Sequence, residues 1–213
     1  MNETNTDWTT YYQQPALFSR FSRRVTEKFL IEQFSNYAAD RKVEILEFGG
    51  GNSCFANSIC DAIPVLEYAI ADNNALGVEL FQKRPSPEGT MFTAEKTNLL
   101  NQTPFNGRRF DIVYSVGLIE HFQGDALNAI VDRHFESCTD SGLVVITFPT
   151  PTFLYRIIRG IAELLGVWKF PDEFPLKIDD VVQLTPKDEF ELKYTGINWG
   201  VLLTQGVCVW THK

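Results

Sequence analysis

Residues 43–53 constrain this chain more than any other stretch. The apolar run Val43, Ile45, Leu46, Phe48 carries Glu47 near its end; Gly49, Gly50 and Gly51 follow, and Asn52 and Ser53 open an apolar-periodic segment. The pattern reads strand, tight turn, helix. Consecutive glycines let the backbone turn sharply and approach a ligand with no Cβ in the way. A helix beginning near Ser53 leaves its first N–H groups without intrahelical partners and free to face that ligand. A glycine turn after an ordinary strand reads the same way, so function rests on what the rest of the chain adds.

A chain of 213 residues, 44% of them apolar, suits one domain (1–213) with a sizeable core. A net charge of −8 argues against a nucleic-acid partner, whose affinity is built from Lys and Arg. Cys54, Cys60, Cys138 and Cys208 form no CxxC pair and no zinc-spaced cluster, and read as reduced, mostly buried thiols; no metal is expected. No apolar run reaches the length of a membrane span, and the polar start Met1-Asn2-Glu3 is unlike a signal peptide. The expectation is a cytoplasmic monomer or homodimer.

An aromatic-rich helical cap is expected over 1–40, with Phe21, Val25, Phe29, Ile31 and Phe34 packing across the sheet. Tyr11 and Tyr12 either pack there or close over a ligand. After a helix over 53–62, the strand Glu67 to Ala71 ends in Asp72, 21 positions beyond Gly51. A carboxylate there can accept both hydroxyls of a ribose, or cap the helix starting at Asn73 or Asn74. A short strand over 90–94 delivers Asn98 and Leu99 to the same edge. Phe110, Ile112, Val113, Tyr114 and Val116 form the continuous run of a buried parallel strand. A helix over 124–138 and a strand over 143–148 complete a cofactor core of 41–148, a doubly wound α/β pattern whose ligands sit at the carboxyl ends of the strands. Residues 149–180 read as a lid insertion, its helix 153–165 turning Phe153, Leu154, Ile157, Ile158, Ile161, Leu164 and Leu165 inward and Arg156 and Arg159 outward. Residues 181–213 end in two strands too close for a crossover, hence an antiparallel hairpin.

Together, Glu47-x-Gly49-x-Gly51-x-Ser53, Asp72, the Asn98-Leu99 loop, the strand Phe110 to Ser115 and the run Gly117 to Phe122 resemble the class I S-adenosylmethionine-dependent methyltransferases. Within that family the chain is most similar to the small-molecule branch that includes the ubiquinone-biosynthesis-type (methyltransferase type 11) enzymes. The resemblance implies a Rossmann-like, doubly wound seven-stranded sheet, order 3-2-1-4-5-7-6 with strand 7 antiparallel, N-terminal helices and a helical lid after strand 5. It implies S-adenosyl-L-methionine as cofactor. Glu47, Phe48, Gly49, Gly50 and Gly51 would hold its methionine part, Asp72 with Asn73 the ribose, Asn98 and Leu99 the adenine, and Ser115, Val116 and Gly117 would line it near the reacting sulfur. Ser53 replaces the family's third glycine and Asn98 its usual acid.

Methyl transfer from a sulfonium is an in-line displacement on an activated donor, so the protein's main task is alignment. A hydroxyl acceptor needs a base, for which His121 beyond the fourth strand is the candidate, with Glu120 orienting it or the substrate; a His packed at the start of a helix is the structural alternative. His134 and His212 lack a supporting context. Tyr11, Tyr12, His121, Phe148, Tyr155 and Arg156 are the expected acceptor-side residues. A small molecule, sugar or lipid precursor bearing a hydroxyl is the first choice of acceptor, with carbon or amine next. The chain lacks the Asn/Asp-Pro-Pro-Tyr run of exocyclic and amide nitrogen methylation, and no P-loop Gly-Lys-Ser/Thr follows the turn. Two other readings stand beside this one: a methyltransferase-fold binding protein without catalysis, and an NAD(P)-binding oxidoreductase, since Gly49-x-Gly51-x-x-Cys54 is one substitution from the dehydrogenase fingerprint.

Overall fold

The computed structural model describes residues 6, 8–9, 19–39, 41–166, 168, 170–186, 188–199 and 204–213. Helix α1 (Ser19–Ala38) leads into β1 (Val43–Phe48), α2 (Ala56–Ala62), β2 (Val65–Asp72), α3 (Ala75–Gln82) and β3 (Met91–Lys96). Then come β4 (Phe110–Val116), α4 (Asp125–Glu136), β5 (Cys138–Pro149), α5 (Phe153–Leu164), α6 (Ile178–Gln183), β6 (Phe190–Trp199) and β7 (Gln205–His212). One sheet carries all seven strands in the order β3-β2-β1-β4-β5-β7-β6. The first five are parallel, and β7 runs antiparallel to both β5 and β6. This is the order and hand implied by the family resemblance.

Alternation along the strands divides the core into two layers. Leu46, Phe48, Val113, Val144 and Ile146 face α4 and α6, against Ile130, Val131, Phe135 and Val181. Val43, Ile45, Tyr68, Ile70, Ile112 and Tyr114 face the other side, against Leu30, Phe34 and Ala38 of α1, Ile59 of α2 and Phe81 of α3. Both faces are covered, which is why these strands read as unbroken apolar runs.

Several boundaries differ from the sequence expectation. The buried stripe of α1 is Thr26, Leu30, Phe34 and Ala38, a four-residue repeat that leaves Phe29 and Ile31 only partly buried. The helix after the glycine turn starts at Ala56 rather than Ser53, because Ser53 has a left-handed backbone (φ 20°) and its Oγ accepts the N–H groups of Phe55 and Ala56. β5 begins at Cys138 rather than at the expected residue 143; Gly142 permits this, since a Cβ there would lie 2.3 Å from Cys138 Sγ. All four cysteines are free, and only Cys138 and Cys208 are buried. No helix among the described residues is long and apolar enough to cross a membrane.

The largest departure is α5. Its apolar stripe points outward: Phe153 is 81% and Leu164 87% exposed, with Ile157, Ile161 and Leu165 also exposed, while Tyr155 is the residue buried. The helix turns its Tyr155–Arg159 side to the protein because that side finds partners there, described below.

Candidate active site

The glycine turn follows β1 at the carboxyl edge of the sheet. Gly49 and Gly51 adopt φ 67° and 50°, conformations that strain any residue with a Cβ. A Cβ at Gly49 would lie 2.8 Å from Leu118 Cδ1, and one at Gly50 would lie 2.7 Å from Glu47 Cδ, so the loops after β1 and β4 press together. The Gly51 N–H donates to Asp72 Oδ2 at 2.8 Å, and Asn74 N–H donates to Asp72 Oδ1 at 2.6 Å. The two expected halves of the nucleotide site therefore meet. Asp72 does not cap α3; Asn74 does, its Oδ1 accepting from Gly77 N–H at 2.9 Å.

The other residues expected around the cofactor divide by the pleat. Glu47 is 3% exposed and accepts a hydrogen bond from Tyr68 Oη at 2.7 Å within a buried cluster of Tyr68, Tyr114 and Ser53. Burial raises its pKa, and the hydrogen bonds relieve only part of that. Glu47 thus braces the turn from below. The side chains of Phe48, Leu99 and Ser115 are buried in the opposite layer, so only their backbones reach the edge. Ser115 Oγ lies 2.9 Å from His134 Nε2, and His134 Nδ1 sits 2.8 Å from the Ile130 carbonyl, which makes Nδ1 the donor and Nε2 the acceptor of the Ser115 hydroxyl. Val116 and Gly117 are half-buried at the edge, and Asn73 and Asn98 are exposed, with Asn98 Oδ1 accepting from Leu100 N–H.

Beyond β4, a single 3-10 turn (Ile119–His121) carries Glu120 and His121. Glu120 is 2% exposed and its Oε2 has no hydrogen-bond partner. A Cβ at Gly117 would lie 3.2 Å from its Oε1. Burial, then the charges of Glu173 and Asp172, push the Glu120 carboxyl well above its ordinary range. His121 Nδ1 lies 3.4 Å from Asp172 Oδ1, close enough for attraction but without hydrogen-bond geometry. Burial lowers the His121 pKa and Asp172 only partly offsets this, so the ring is neutral and able to accept a proton.

Segment 170–174 and α5 pack against this turn. Phe174 N–H donates to the Glu120 carbonyl at 2.9 Å, bringing Asp172 and Glu173 alongside. Tyr155 Oη donates to Glu173 Oε1, and Arg159 Nη1 donates to the Glu173 carbonyl at 2.8 Å while its guanidinium lies over the Trp168 ring at 5.2 Å. Arg159 was expected on the solvated face and instead lies within this network. Arg156 is exposed, and Phe148 is wholly buried against Gly206, where a Cβ would lie 2.9 Å from its ring; neither side chain joins the cluster. Tyr11 and Tyr12 lie outside the described residues. Their neighbours supply closure: Thr6 Oγ1 donates to Asp172, Trp8 stacks edge-on to His121 (5.2 Å between centroids) and near Phe170 (6.1 Å), and Asn74 Nδ2 donates to Thr9 Oγ1 at 3.1 Å. Thr6, Trp8 and Thr9 thereby bridge from Asp172 to the Asp72–Asn74 loop. Sequence reasoning missed Asp172, Glu173 and Thr6, which lie in irregular segments with no periodicity to mark them.

No family model matches the chain, and no curated protein does. Solved structures do. The magnesium protoporphyrin IX methyltransferase ChlM of Synechocystis PCC 6803, with bound S-adenosylhomocysteine, superposes with a TM-score of 0.73 at 12% identity, over 94% of this chain and 89% of that one. The N-methyltransferase NodS of Bradyrhizobium japonicum WM9, in complex with S-adenosylhomocysteine, gives 0.63 at 11% over 95% and 91%. The PH0226 protein of Pyrococcus horikoshii OT3 gives 0.67 at 16% over 93% of each. The strand order, the antiparallel β7 and these superpositions together give this chain the fold of the class I S-adenosylmethionine-dependent methyltransferases.

Proposed function

We propose that this protein is an S-adenosylmethionine-dependent methyltransferase acting on a small-molecule acceptor. The observation that carries the reading is the bond from Gly51 N–H to Asp72, which sets a left-handed glycine turn and a nine-tenths buried carboxylate side by side at the ends of β1 and β2. The residues present suit the cofactor. The turn offers a surface without side chains, and a carboxylate at Asp72 is the acceptor that ribose hydroxyls require. Asn98 would meet the adenine, and Val116 and Gly117 would line the reacting end.

When bound, S-adenosylmethionine supplies a methyl group on positively charged sulfur, already activated for displacement. This chain's own residues then bind, orient and move a proton. Glu120 and His121 flank the acceptor next to Gly117, and Tyr155 positions Glu173 beside them. His121, neutral through burial and held beside Asp172, takes the acceptor's proton. Residues 6–9, with Trp8 against His121, exclude water from the crevice.

Calorimetric titration with S-adenosylhomocysteine tests the cofactor site. Asp72→Ala is expected to weaken binding by roughly 1–3 kcal/mol by leaving ribose hydroxyls unpaired. Unchanged affinity removes Asp72 from the site, and a parent protein that does not bind at all favours the non-catalytic binding protein.

A further inference from the structure

Among the described residues, the cluster around Glu120 is poor in positive charge. Glu120, Asp172 and Glu173 bring three carboxyl groups together, two of them more than nine-tenths buried. The described cation among them is Arg159, and it is divided: it lies 3.7 Å from Glu173 Oε1 and is also bonded to Glu163 at 2.7 Å. His121, the nearest titratable base, is neutral. Glu120 Oε2 is buried with no partner, and an orphaned carboxyl oxygen in an apolar setting is costly unless a ligand completes it. The rings of Trp8, Phe170 and Trp168 stand around the cluster, Trp8 against His121 and Trp168 already facing one cation, Arg159. Buried carboxyl groups interleaved with aromatic faces form an environment that an ammonium group completes, its charge favouring the ionised carboxylates that burial alone disfavours.

We propose that the methyl acceptor is an amine, a small molecule whose ammonium group is held among Glu120, Asp172 and Glu173 beside Trp8 and Phe170. This rests on the methyl-transfer reading above and reverses the order suggested by sequence, in which a hydroxyl came first. His121 takes one proton from the ammonium nitrogen. The freed lone pair forms the nitrogen–carbon bond to the methyl group as the carbon–sulfur bond breaks, and that electron pair stays on sulfur. The products are the methylated ammonium and S-adenosylhomocysteine, and the proton on His121 passes to solvent. Glu120 and Asp172 hold the nitrogen; Tyr155 and Arg159 act through Glu173 as positioning residues.

The test uses the full chain saturated with S-adenosylhomocysteine, whose own binding is measured first. Methylammonium chloride is titrated against sodium chloride at equal ionic strength, with methanol as the neutral counterpart, and the melting temperature is followed. Methylammonium is expected to give a saturable rise of about 3 °C that sodium and methanol do not. Glu120→Gln and, separately, Asp172→Asn are expected to weaken that response at least about tenfold while still binding S-adenosylhomocysteine. A methylammonium response equal to that of sodium, or unchanged in both variants, overturns the amine site and leaves the methyltransferase reading standing. Failure of the parent to bind S-adenosylhomocysteine overturns the reading beneath it instead.

Discussion

His134 is a histidine that folding keeps uncharged. Burial brings its pKa from 6.5 down to about 4, with the Ile130 carbonyl opposing only in part. Between those values the unfolded chain binds a proton that the folded chain does not, so stability falls as pH drops from 6.5 toward 4 and is fully present above 6.5. The loss amounts to about 3 kcal/mol across the window. Glu120 works in the opposite direction: its raised carboxyl favours the folded state below its ordinary value of 4.5 and loses that contribution as pH rises. Urea unfolding at about pH 4.5 and pH 7 is expected to show a smaller difference in midpoint for His134→Phe than for the parent. An equal difference means His134 is not the titrating group. The sequence showed His134 only as a mid-helix histidine. Its role depends on Ser115, 19 positions away on β4, whose side chain the pleat turns inward. For the same reason the motif residues Glu47, Phe48 and Ser115 were legible as markers of the site but not as contacts within it.

At the scale of elements, Arg84 joins the end of α3 to the glycine turn. Its Nη1 donates to the Ser53 carbonyl at 2.8 Å, and Nη2 donates to the Asn52 carbonyl and, at 2.9 Å, to Asn52 Oδ1. A guanidinium fork can hold two adjacent backbone positions at once, which an ammonium cannot. Arg84→Ala is expected to weaken S-adenosylhomocysteine binding roughly tenfold by freeing the turn, with Arg84→Lys between it and the parent in calorimetry. Parent-like affinity in Arg84→Ala removes this tether from the account. The strands were legible because burial on both faces makes each a continuous apolar run bounded by turns. The orientation of α5 was not. Its period identifies an apolar side and a polar side, but which side meets the protein is decided by Glu173 and Trp168, supplied from the connector beyond it. Arg159 thus reads as solvated in the sequence and becomes a half-buried brace in the fold.

For the molecule as a whole, Thr6, Trp8 and Thr9 tie together Asp172, on the proposed acceptor side, and Asn74, on the proposed ribose side. A chain that removes residues 1–9 is expected to release S-adenosylhomocysteine about tenfold faster in stopped-flow displacement, with its melting temperature shifted by less than about 2 °C. An unchanged release rate means that this segment does not gate the crevice. The same crossing bears on how the protein is handled at the bench. Thr6 itself is bonded to Asp172, on the proposed acceptor side, so an affinity handle fused at the amino end is expected to crowd it. One fused after Lys213, whose N–H already holds the Glu189 carbonyl, starts at the opposite rim, because β7 runs antiparallel to the central strands. Turnover should therefore be compared on carboxyl-tagged or tag-free protein, since an amino-terminal handle behaves as a tethered obstruction.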